Sequence, residues 1–196
     1  MGMGNRRSVN LSTERLVMTA MLTALTAVLA YFGGFIKIGS LASVNLTLIP
    51  VVLGGALLGP FVSAWLGFVS GAVFFLTADA AFWLSLSIPG TIVTVLIKGT
   101  VAGLLAGLVY RLFSKFNRYI SIVVSAVVAP VVNTGIFLIG CFIFFMDAVN
   151  AGAAAEGMSV GGYLIVFFVG LNFVFELLFN VVLSPMLCRL VDLRKK

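Results

Sequence analysis

Residues 88–110 read IPGTIVTVLIKGTVAGLLAGLVY, an apolar run that carries a single charge, Lys98. A helix that crosses a bilayer needs about 20 mainly apolar residues, so this stretch alone reads as a transmembrane helix. The rest of the chain agrees: 62% of its 196 residues are hydrophobic, 9% are charged and the mean hydropathy is +1.23. Such a composition defines an integral membrane protein. Working outward from 88–110, five further apolar runs lie near residues 16–32, 44–58, 61–78, 120–146 and 161–187, the second of them short. The expectation is an all-α membrane protein, a six transmembrane helix bundle forming one domain over residues 1–196. No linker, low-complexity tract or internal repeat interrupts it.

Short cytoplasmic loops are enriched in Lys and Arg, which fixes the orientation. Arg6, Arg7 and Arg15 precede the first span, Arg111, Lys115 and Arg118 separate the fourth from the fifth, and Arg189, Arg194, Lys195 and Lys196 follow the sixth. Both termini are therefore expected to be cytoplasmic. Lys37, Asp79, Asp147 and Glu156 fall on the other side, where the segments 33–44, 79–87 and 147–160 are long enough to gate a site. The first apolar run is followed by Tyr31 and Phe32 rather than by a small-residue cleavage site, so it is expected to be retained.

The +6 net charge does not point to nucleic acid, because the basic residues flank hydrophobic spans instead of clustering on a soluble domain. Enzyme classes fall away in turn. The chain has no His, which excludes a serine–histidine protease and a histidine-ligated metal. An intramembrane aspartyl pair is excluded because Asp79 and Asp147 lie at span ends and Asp192 is cytoplasmic. No phosphate-binding loop of Walker type occurs, so the chain itself should not hydrolyse ATP. Cys141 and Cys188 suggest packing rather than a disulfide or metal cluster. The expectation is a non-enzyme with no metal and no cofactor.

The charge that remains to be explained is Lys98. At about 1.5 Å per residue it sits about 15 Å from the end of its span, too deep for easy snorkelling. A charged side chain at such depth costs at least about 2.5 kcal/mol on insertion scales. Thr91, Thr94 and Lys98 fall at i, i+3 and i+7, a polar ladder on one helix face. Span six offers Asn172, Glu176 and Asn180 at successive i+4 positions, and span five offers Asn133 and Thr134 beside Pro130. Two readings are open: Lys98 and Glu176 form a buried ion pair while the asparagines lock the bundle, or Lys98 binds an anionic or strongly polar ligand that the amides orient. Phe82 and Trp83, next to Asp79 at the rim, read as an interfacial belt or as a lid.

Small residues recur at four-residue spacing: Ala20 and Ala24; Ser63, Gly67 and Gly71; Gly99, Gly103 and Gly107. Such stripes let helix backbones approach closely. The glycine stripes suggest internal packing, whereas the alanine stripe suits either packing or another membrane subunit.

The stretches RLVMTAMLTALTAVLAYF (15–32), LTLIPVVLGGALLGPFVSAWLGFVSG (46–71) with Ile49-Pro50 and Leu58-Gly59-Pro60, and APVVNTGIF (129–137) together resemble the substrate-binding S components of energy-coupling factor (ECF) vitamin transporters. The resemblance covers nearly the whole chain. It implies that Ala20 and Ala24 dock on a membrane-embedded T component coupled to two cytosolic ATPases. It also implies a ligand site in the outer half, among spans four to six, where Lys98, Asn133 and Asn172 fall. Transport in the family is associated with toppling of the S component in the membrane, which suits a chain with few lateral charges. The function implied is high-affinity binding of a small water-soluble vitamin in a bacterial cell membrane. Pantothenate is favoured by its carboxylate and by the Asn133-Thr134 pair, with riboflavin or folate as alternatives. Two other functions compete: a stand-alone proton-coupled carrier using Glu176 and Lys98, and an assembly protein whose polar residues only pack.

Overall fold

The computed structural model describes the backbone of residues 4–33, 37–38, 42–43 and 46–193; the side chains of Arg6, Arg7 and Lys37, and all of 194–196, lie outside the described residues. Helix α1 (Gly4–Gly33) leads to a short antiparallel pair, β1 (Lys37–Ile38) and β2 (Ala42–Ser43), with Lys37 opposite Ser43. Then follow α2 (Leu48–Leu58), α3 (Pro60–Phe74), α4 (Ala78–Leu86), α5 (Ile88–Phe113) and α6 (Arg118–Phe144). The chain ends with α7 (Met146–Ala155), a single turn α8 (Val160–Tyr163), a π-helical stretch (Leu164–Gly170) and α9 (Leu171–Leu193).

Local chemistry sets the breaks. Gly59 has φ +106°, a conformation that L side chains rarely adopt, and Pro60 opens α3 where a missing N–H costs nothing. Arg15 donates to the Leu58 carbonyl at 2.9 Å, placing a cation at the C-terminal end of α2. Ser87 caps α5 by accepting from the Gly90 amide, and Asn117 caps α6 by accepting from the Tyr119 and Ile120 amides. Of the segments at the far end, 79–87 and 147–160 hold the short helices α4 and α7, and 33–44 holds the β1–β2 pair. Asp79 and Asp147 stand in the first turns of α4 and α7, where a carboxylate is favoured by the helix dipole.

Among the described residues four helical segments are long and apolar enough to cross a bilayer, namely Thr13–Gly33, Ile88–Phe113, Arg118–Phe144 and Phe173–Asp192. A fifth crossing is available if α3 and α4, bent by 83°, count as one. The 11-residue α2 extends about 16 Å, roughly half of a hydrocarbon core about 30 Å thick. Regular helices therefore account for four or five of the six expected spans. The sixth run is continuous in sequence but enters α9 through the π-helical stretch.

Helix α5 is the axis of the bundle. On one side it meets α3 with almost no side chain between: a Cβ on Gly67 would strike the Gly99 carbonyl, and one on Gly103 the Ser63 carbonyl. The seam extends through Gly71 against the Val95 carbonyl and Gly107 against Pro60. Both glycine stripes are thus internal packing. On its other side α5 packs on α6, which in turn packs on α9. One apolar cluster, with Val52, Ala106, Tyr110, Ile122, Leu187 and Val191, fills the end that carries Arg111, Arg118 and Arg189. Another, with Cys141, Phe145, Val149 and Leu164, fills the opposite end. Along α6, Asn133 stands between the two clusters, one turn before Phe137, which packs against the second, so a polar layer separates two apolar ones.

Candidate functional site

Lys98 extends from the middle of α5 into this layer. Its Cα–Cβ bond tilts toward the N-terminus of α5, which aims the side chain toward the end carrying α4 and α7. The ammonium lies 4.9 Å from the ring centre of Phe137 on α6 and 5.9 Å from that of Phe74 on α3. Cation–π contacts contribute about 0.5–2 kcal/mol, comparable to the insertion cost of the charge but using none of its N–H donors for a directional bond.

Opposite stands Glu176 on α9, 2% exposed. The Asn133 amide of α6 stands next to the Glu176 carboxyl, and Asn180 donates to the Glu176 backbone carbonyl at 2.8 Å. Lys98 and Glu176 are electrostatic neighbours. Among the described residues, however, no ion pair within 4.0 Å joins them; the contact of that kind that is seen is Arg118 with Asp192 at 2.6 Å, at the basic end. Among the described residues three buried polar atoms have no hydrogen-bond partner: Thr94 Oγ1, Glu176 Oε2 and Asn180 Oδ1. Each such atom costs about 1–3 kcal/mol, so a ligand that engaged them would recover that cost on binding.

The ladder on α5 divides in two. Thr91 is committed to the fold, since its hydroxyl reaches the carbonyls of Trp83 and Ser87, both at 2.7 Å, and ties α4 to α5. Thr94 and Lys98 remain facing the polar layer, with Thr94 against Gly140 of α6. Asn133 and Glu176 are brought together with Lys98, whereas the side chain of Asn172 lies outside the described residues. Among the described residues no group of three His, Cys, Asp or Glu side chains is placed to hold a metal.

Sequence reasoning missed the rings that face the cation. Phe137 was findable, because it lies one helical turn from Asn133, but nothing in the sequence marks Phe74 among eighteen phenylalanines. Trp83 is half-buried and packs edge-on against Phe137 and Phe145, each at 5.3 Å, while Phe82 is 60% exposed. The rim helix thus touches the ring under the ammonium.

The ECF transporter substrate-specific component family matches residues 14–188. The chain belongs to this family. No curated protein and no solved structure matches it. S components are transporter subunits rather than enzymes; they bind small-molecule substrates and work with a T component and ATPases. The four long apolar helices accord with a multi-pass membrane protein. On α1 of this S component Ala20 and Ala24 are exposed, flanked by Leu16, Met21 and Leu25, while Leu22 and Thr26 face the interior.

Proposed function

We propose that the chain is the high-affinity, membrane-embedded binding subunit of an ATP-driven importer for a small water-soluble vitamin or related metabolite. The observation that carries this is the set of partnerless buried groups around Lys98, in a chain whose family is the substrate-specific component of a transporter. The site comprises Thr94, Lys98, Asn133 and Glu176, with Thr91 holding the rim and Asn172 at the start of α9. Pantothenate is the first substrate to test because its carboxylate suits Lys98; riboflavin and folate follow. In this reading one domain crosses a bacterial cell membrane six times with both termini in the cytoplasm. The basic side chains at one end of the bundle favour that orientation.

The exposed Ala20–Ala24 face of α1 is the docking surface for the T component, which couples the subunit to two ATPases. Small side chains there permit close helix–helix approach. Ala20→Trp or Ala24→Trp should abolish ATP-driven uptake while ligand binding by the isolated subunit is retained. Loss of binding in these variants would instead make the stripe internal packing. Small molecules released from the gently purified protein, identified by mass spectrometry, give the substrate directly. A vitamin at near one-to-one stoichiometry is the expected result.

The burial of Glu176 beside Lys98 favours a second reading, a proton-coupled carrier working alone. Energy dependence separates the two. Uptake by the purified chain in vesicles, driven by a proton gradient without T component or ATPases, would replace the first reading with the second.

A further inference from the structure

The partnerless groups of the polar layer are not scattered. Elsewhere among the described residues buried hydroxyls are satisfied: Thr26 bonds the Leu22 carbonyl, Ser63 that of Val51, Ser125 that of Ala106, and Ser70 pairs with Thr47. The exceptions are Thr94 on α5, one helical turn from Lys98, and Glu176 and Asn180, one turn apart on α9. They are also sorted by hydrogen-bond sense. The α5 side presents an ammonium, which can only donate, and the α9 side presents a carboxyl oxygen and an amide oxygen whose acceptor capacity is unused. Lys98 does not close on Glu176, although an ion pair would relieve both.

We propose that this layer selects a two-poled ligand: a small carboxylate whose anionic end meets Lys98 and whose N–H or O–H donors meet Glu176 and Asn180. The inference rests on the binding-subunit reading and adds the substrate class to it. A cation would face Lys98 at close range, and a neutral ring compound would leave the ammonium without an anionic partner. A carboxylate lacking donors would leave the α9 oxygens unpaired. Only a ligand carrying both functions satisfies the layer as built.

The test is equilibrium titration of the purified full chain in detergent with pantothenate, biotin, folate, riboflavin and thiamine, together with pantothenol and biotin methyl ester as carboxylate-free counterparts. A carboxylate is expected to bind most tightly, and at least tenfold more tightly than its neutral counterpart. That comparison uses the wild-type chain and needs no variant to fold. In Lys98→Met the acid and its counterpart should bind alike, whereas Glu176→Gln should weaken both by a similar factor because it alters the other pole. Tightest binding by thiamine or riboflavin, or an acid preference that survives Lys98→Met, overturns the two-pole assignment and leaves the binding-subunit reading standing. Silence of all seven probes, with no uptake on adding T component and ATPases, overturns both.

Discussion

Helix α5 has two working faces built on opposite principles. Toward α3 it presents Gly99, Gly103 and Gly107, and the two backbones meet almost directly. Toward α6 and α9 it presents Thr94, whose hydroxyl is buried without a hydrogen-bond partner, and Lys98, whose ammonium stands over the Phe137 ring. One face achieves contact by deleting side chains, and the other holds side chains that packing does not satisfy. In lipid, where apolar surface gains little from leaving its surroundings, close backbone contact is what remains to hold helices together. A rigid seam on one side allows a polar layer on the other to stay unsatisfied without loss of the fold.

The largest effect should follow from wedging the seam. Gly67→Val places atoms where the Gly99 carbonyl already lies, and both partners are backbone that cannot rotate away. Overpacking of this kind costs about 3 kcal/mol or more, so the variant should lose its monodisperse species and its cooperative melting transition in detergent. Normal melting of Gly67→Val would mean that the two faces do not divide the work.

Next in size is Lys98→Met. Binding should weaken at least tenfold, about 1.4 kcal/mol, while the melting temperature holds or rises because a buried charge has been replaced by an apolar chain of similar length. The opposite pattern, a lower melting temperature with unchanged binding, would assign Lys98 to the seam's kind of work by making it the internal partner of Glu176.

How much of this was legible in the sequence differs between the faces. The glycine stripes could be read because a four-residue spacing specifies a helix face and a glycine in lipid has few other uses. Lys98, Asn133 and Glu176 could be read because a polar residue in an apolar run stands out. What the residues do to one another was less accessible. The ladder suggested that Thr91 and Thr94 would act alike, yet Thr91 is spent on the carbonyls of Trp83 and Ser87. That outcome depends on α4 folding back at 83° from α3, which run length and hydropathy do not encode. The short α2 was visible as a short run, but the helices inside the 79–87 and 147–160 segments were not, since ten residues or fewer with an acid near the start look like loop.

Thr94 tests the polar face on a finer scale. Thr91 and Thr100 on the same helix bond the carbonyls four residues earlier, Ser87 and Leu96, while Thr94 Oγ1 is buried without a partner. Thr94→Val keeps the shape and removes that hydroxyl. Stability should hold or improve slightly, and affinity should fall by a neutral hydrogen bond, about 0.5–1.5 kcal/mol or several-fold. A variant that melts lower and binds normally would place Thr94 with Thr91 as a structural residue.

The smallest effect should come from a glycine that belongs to neither face. Gly135 on α6 has nothing within 4 Å of where a Cβ would stand. It is two residues from both Asn133 and Phe137, hence about 200° around the helix from each and turned away from the polar layer. Gly135→Ala therefore meets no backbone and no site. It should change the melting temperature by no more than the helix-propensity gain of about 1 kcal/mol, in the stabilising direction, and leave binding unchanged. Set beside Gly67→Val, it asks whether glycine as such or its place in the seam matters. Equal losses in both variants would mean that α6 relies on close approach too, and that α5 is not alone in joining a backbone seam to a binding layer.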